Sequence, residues 1–144
     1  MTADDEKLRR KLLGAWELVL WKNRRHDEDM DYPFGRDARG LLVYTADGHM
    51  SVQMVRPGVQ PLGAPPASAP IEKLRAAFNG FVGYFGRFTV DAAHCIVVHH
   101  IDGAWHPDVK GDQVRHCRIV DDHLFLEGEA PTGWVTIEWR RAGA

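Results

Sequence analysis

The chain is poor in cysteine: Cys95 and Cys117 are its two thiols, both in largely apolar runs, and they are read as packing residues rather than as a disulfide framework. It contains no apolar run near the roughly 20 residues that a membrane-spanning helix needs, so no membrane partner is expected. It also lacks an excess of charge of either sign. With 18 basic and 20 acidic residues the net charge is −2, which creates no general field for phosphate backbones, and nucleic acid is not expected as a partner. The opening Met1-Thr2-Ala3-Asp4-Asp5-Glu6 has neither the basic start nor the apolar core of a secretory signal, and with reduced thiols this points to the cytoplasm. Several catalytic motifs are missing. Gly83-Tyr84-Phe85-Gly86 lies in a β-type run rather than before a helix, so it is no phosphate loop, and no Gly-x-Ser-x-Gly elbow supports serine hydrolysis.

What is present is 144 residues with 44% hydrophobic content, enough for a single domain spanning 1–144 with its own core. Residues 3–13 carry acids first and bases last, with Leu8, Leu12 and Leu13 on one side, a short amphipathic helix stopped by Gly14. Ala15 to Trp21 is β-rich, although both faces are mostly apolar and the alternation is blurred. Arg39–Thr45 and His49–Val55 flank Asp47-Gly48, a strong hairpin signal. Residues 57–70 hold five prolines and cannot continue a ladder, and Ala69–Phe78 reads as a helix. That loop and helix, near residues 57–80, form a candidate lid. Further strands are expected at 81–90, 94–101, 113–120, 123–128 and 133–141, with Gly83 and Gly86 as bending points. Gly133–Arg141 pairs best with the Gly14–Trp21 run at the other end. Eight strands joined in this way give an all-β, antiparallel up-and-down barrel enclosing a small space.

Two sets of residues carry a resemblance. Gly14-Ala15-Trp16 after a short helix resembles the Gly-x-Trp opening of lipocalins and related calycins, in which the Trp plugs the closed end and a late Arg covers it; Arg140 or Arg141 would take that place. The longer set is Tyr32-Pro33-Phe34-Gly35, Arg39–Ser51, Arg56-Pro57, Gly83–Phe88 and His99-His100. With it the chain resembles the bacterial and fungal lipocalin-like domain proteins over residues 12–141. The resemblance implies a calycin-type barrel. It also implies a hydrophobic ligand or, as in a few barrels of this kind, isomerase, cyclase or lyase chemistry.

Alternation divides the sixth expected strand into Gln113, Arg115, Cys117, Ile119 and Val114, His116, Arg118, Val120. If the first set points inward, Gln113 and Arg115 would orient a carbonyl or carboxylate above a greasy floor that includes Cys117; the reverse facing is equally compatible with the pattern. One of His99 and His100 must face inward, and an inward imidazole would serve as acid or base beside Arg115. Tyr44, Gln53, Met54, Tyr84 and Phe88 complete the candidate ligand contacts. Eight histidines raise the question of a metal, and His99 with His106 and His116 is the set considered; none of the histidines shows a metal-binding helical pairing, so no metal and no cofactor is expected. The leading expectation is a barrel binding a small hydrophobic or aromatic molecule. The second is a cofactor-free isomerase, cyclase or lyase using His99 or His100 and Arg115 as catalytic groups. The third is a homodimer with an occluded lumen. Whether the chain is an enzyme is left open.

Overall fold

The computed structural model describes residues 1–144. A helix, α1 (Ala3–Leu12), precedes β1 (Gly14–Arg25), a two-residue β2 (Met30–Asp31), β3 (Arg39–Tyr44) and β4 (His49–Val55). A second helix, α2 (Ile71–Asn79), leads into β5 (Phe81–Asp91), β6 (Ile96–Ala104), β7 (Gly111–Val120), β8 (His123–Ala130) and β9 (Gly133–Arg141). Each strand from β3 to β9 pairs antiparallel with the next, and β9 returns to β1, so eight strands close on themselves and β2 is a short addition at the end of β1. Closure leaves none of the eight with a free edge.

The Asp47-Gly48 turn forms as its sequence demands, with Gly48 at φ +91° and its N–H donating to the Thr45 carbonyl at 3.0 Å. The strand expected at 94–101 shifts at both ends. His94 belongs to a helical turn at Ala92–His94, and Cys95 takes a left-handed conformation (φ +54°), so β6 starts at Ile96 and runs on to Ala104. The sequence reading started that strand two residues early because apolar alternation does not register a single-residue reversal of backbone hand.

β1 contains the irregularity that positions the interior. Its register against β9 slips between Leu18 and Leu20. Trp16 faces inward before the bulge; beyond it Trp21 and Asn23 face inward, while Leu20, Lys22 and Arg24 line a groove on the outer wall. The alternation in this run was blurred because the inward positions change from even to odd numbers part-way along. A second bulge falls between Phe85 and Gly86 against β6. There a Cβ on Gly86 would sit 1.9 Å from the His100 carbonyl oxygen, so only glycine allows the strands to approach this closely.

One end is sealed. Thr2 caps α1 and exchanges hydrogen bonds with Asp5, whose carboxylate also accepts from the Ala92 N–H at 2.8 Å and pins the helix to the β5–β6 turn. Leu12 and Trp16 are fully buried, and the Trp16 indole N–H donates to the Leu12 carbonyl at 2.9 Å. The Arg141 guanidinium lies 4.1 Å from the Trp16 ring and donates to the carbonyls of Leu13 and Lys11. Of the two arginines expected for this place it is Arg141; Arg140 instead faces Glu17 across 3.9 Å on the outside. Above this plug the core runs through Tyr44, Met50, Phe88, Val97, Cys117, Leu124 and Trp139.

The opposite end is covered by loops. Phe34, from the Tyr-Pro-Phe-Gly stretch, packs edge-on against Trp21 with ring centres 4.9 Å apart, and Arg56 stands over Phe34. The α2 helix buries none of its residues, in keeping with a piece laid over a rim rather than into a core. No helix is long and apolar enough to cross a membrane.

Candidate ligand-binding site

Between the packed half and the loop-covered half lies a cavity of about 230 Å³. Thirteen of its sixteen lining residues are hydrophobic, Tyr84 counted among them for its ring. Leu42 (β3), Val52 and Met54 (β4), Val82 (β5), Leu126 (β8) and Val135, Ile137 and Trp139 (β9) supply most of the wall, with Trp21 from β1. These are the inward positions that the pleat leaves above the core. An apolar cavity of about 150 Å³ takes a benzene-sized guest, so this one has room for roughly a two-ring aromatic.

The polar lining is short. Tyr84, His99, Gln113 and Arg115 come from the adjacent strands β5, β6 and β7, so the polar groups occupy one side of the lumen. Arg115 is the one charged residue on the wall. It curls back to donate to the Val114 carbonyl (2.9 Å) and to Gln113 Oε1 (3.1 Å), across Gly128 of β8, where a Cβ would lie 3.0 Å from its Nη1. No carboxylate is within ion-pairing distance of it. The N–H groups of Trp21 and Trp139 are buried and have no acceptor, and Asn23, near Trp21 on β1, has an unpartnered buried Oδ1. Each such group costs desolvation free energy that a hydrogen bond would offset.

His99 is held from both sides. Tyr44 Oη lies 2.6 Å from Nε2 and Tyr84 Oη 2.7 Å from Nδ1. Burial, with Arg115 and His100 adding to it, pushes the His99 pKa down to about 3, so the ring is neutral across the physiological range. Burial raises Tyr84 to about 12 against the opposing pull of Arg115, and raises Tyr44 well above the usual phenol value, so both stay protonated. Cys117, raised by burial to about 11, is likewise a neutral thiol.

The candidate residues thus divide three ways. Met54, Tyr84, His99, Gln113 and Arg115 meet on the cavity wall. Tyr44, Phe88 and Cys117 point inward but sit in the packed core below, with Phe88 against the Tyr44 ring at 4.7 Å between centres. Gln53 and His100, expected at the lumen, lie outside it. Gln53 bonds Ser51 on the exposed wall, and His100 bonds Thr89 and Asp112 there, each at 2.8 Å. Both err for one reason: each adjoins an inward residue in sequence (Met54, His99), and neighbours on a strand face opposite sides. The three histidines considered for a metal are dispersed, with His99 in the lumen, His106 at the rim against Phe78, and His116 stacked on Trp134.

Missed by the sequence reading were Trp21, Trp139, Trp105 and Val109. Alternation along the last strand could have placed Trp139 with Val135 and Ile137, but Trp21 depends on the β1 bulge. Trp105 and Val109 belong to the β6–β7 connection, and Trp105 is braced by α2: its indole N–H donates to the Phe78 carbonyl at 3.3 Å and its ring lies 6.3 Å from Phe78. No residue of 57–80 lines the cavity itself, so this stretch reaches the lumen through Trp105.

A family model for the lipocalin-like domain matches residues 13–141. The chain belongs to the lipocalin-like domain family. Among solved structures, the barrel is similar to the wild-type fluorescent protein UnaG, at 14% identity over 92% of this chain and 98% of that one, with a TM-score of 0.43. A point mutant of UnaG is similar at 14% identity over 94% and 99%, with a TM-score of 0.46. No curated protein sequence matches this lipocalin-like chain.

Proposed function

We propose that this lipocalin-like barrel binds a small, mainly apolar molecule of about two-ring size in its lumen, with a carbonyl or carboxylate oxygen of the guest turned toward Arg115. The observation that carries this is the guanidinium itself: the sole charge on an apolar wall, with no carboxylate partner and only a backbone carbonyl and Gln113 as acceptors. The side chain is half-buried, and a guest's oxygen reaching its guanidinium would gain a charge-assisted hydrogen bond, about twice as strong as a neutral one. The alternative of acid/base catalysis by a lumenal histidine draws less support. Both nitrogens of His99 are already engaged by tyrosines, a pKa near 3 makes the ring a weak base, and His100 lies outside.

Titration of the protein with 2-naphthoate, followed by quenching of the lumenal tryptophans, tests the reading. Saturable binding is expected, competed by other two-ring carboxylates. No quenching at millimolar probe, together with native mass spectra free of any co-purified compound, would overturn it.

A further inference from the structure

We infer that Tyr44 fixes the tautomer of His99, with the proton on Nδ1, and thereby makes Tyr84 a hydrogen-bond donor to whatever occupies the lumen. Tyr44, neutral His99 and Tyr84 carry three polar hydrogens between them, and the two contacts at 2.6 and 2.7 Å use two. The third must leave the chain of three residues at one end or the other.

The two ends are not equivalent. Tyr44 is 1% exposed, is enclosed by core residues including Phe88, and has no acceptor other than His99 within hydrogen-bonding distance. A hydrogen released there would be stranded in an apolar core, the situation that buried polar groups avoid. Tyr84 lines the cavity. The consistent arrangement therefore runs one way: the Tyr44 hydroxyl donates to Nε2, Nδ1–H donates to the Tyr84 oxygen, and the Tyr84 O–H is left to turn into the lumen. Arg115 stands on the same side of the cavity and is likewise a donor. The polar side of the lumen is thus matched to an oxygen that accepts without donating, a ketone or carboxylate in preference to an alcohol. Tyr44 is a positioning residue, since it acts on the guest only through His99 and Tyr84. The preference for a class of guest rests on the ligand reading above; the tautomer does not.

Ring-nitrogen NMR of the ligand-free, 15N-labelled protein decides the hydrogen-bond order, with His99→Gln identifying the signals by their loss. The expected spectrum has a protonated Nδ1 and a bare Nε2. A protonated Nε2, or two nitrogens averaged to intermediate shifts, overturns the inference. In Tyr44→Phe, shown to be folded by its backbone amide spectrum, the His99 nitrogens should move toward such an average, and unchanged signals would overturn the positioning role. If that variant does not fold, the wild-type ring signals still decide. For the guest, affinities of 2-acetylnaphthalene and 1-(2-naphthyl)ethanol are compared. The wild-type preference for the ketone should fall about tenfold in Tyr44→Phe, near what one neutral hydrogen bond supplies; a preserved preference refutes the donor role. Binding of neither probe overturns the ligand reading, and the ring nitrogens then stand as the test of the tautomer alone.

Discussion

The two halves of the barrel use the same residue types to opposite ends. At the sealed end a tryptophan and an arginine are fully provided for: Trp16 donates to Leu12, while Arg141 covers its ring and donates to two carbonyls. Around the cavity the tryptophans Trp21 and Trp139 have N–H groups with no acceptor, and Arg115 has no anion. Satisfied polar groups in a core help to fix one structure; on the reading proposed above, the free side of Arg115 is where a guest's oxygen joins. Trp16 and Arg141 form a stacked pair, whereas Arg115 has no indole under it, a difference that residue identity alone does not reveal.

The sharpest way to break that contrast is at the plug. Trp16→Ala should cost about 3–5 kcal/mol in urea denaturation, the usual penalty for emptying a large buried aromatic site; a loss below about 1 kcal/mol would show that the sealed end is not the stabilising half. Next comes acid. His99 joins the halves, bonded to Tyr44 in the core and Tyr84 on the wall. Its folded pKa of about 3 lies below the ordinary 6.5, so the unfolded chain takes up a proton that the folded one refuses. Its contribution is whole above pH 6.5 and is lost as pH falls toward 3, with a slope of at most about 1.4 kcal/mol per pH unit. Stability–pH curves should be shallower over that window in His99→Gln than in wild type, and parallel curves would contradict the assignment.

On the cavity side, Arg115→Ala should weaken 2-naphthoate roughly tenfold to a hundredfold, as expected for a charge-assisted hydrogen bond, while leaving the urea midpoint near that of wild type. A large stability loss with unchanged affinity would make Arg115 structural, like Arg141. The smallest effect belongs to Arg140→Ala. Its contact with Glu17 is half-exposed and 3.9 Å long, so its loss should stay within about 0.5 kcal/mol, measured in the same urea series.

Much of the architecture was legible. Asp47-Gly48 and the proline-rich 57–70 stretch divided the chain nearly as the strands do, and the pairing of its two ends followed from two β-rich runs needing partners. The site was legible in part. The split of β7 into Gln113, Arg115, Cys117 and their outward neighbours is the observed one, although the pattern could not say which set faced in. That depends on the register of β6 against β5, which the bulge at Gly86 resets and which also decides between His99 and His100. Placing Gln53 and Met54 in one cavity ignored the pleat. The wall contributed by Trp21 was invisible for a similar reason: a bulge changes facing without leaving a compositional mark.

The bulge after Leu18 has a genetic corollary. It lets a single strand serve two rooms, lending Trp16 to the sealed compartment and Trp21 to the hollow one, although five residues separate them and a regular strand would set them on opposite sides. Loss of the Val19 codon would bring the two tryptophans to an even spacing of four positions, so a regular strand would still turn both inward in the register they already hold against β9.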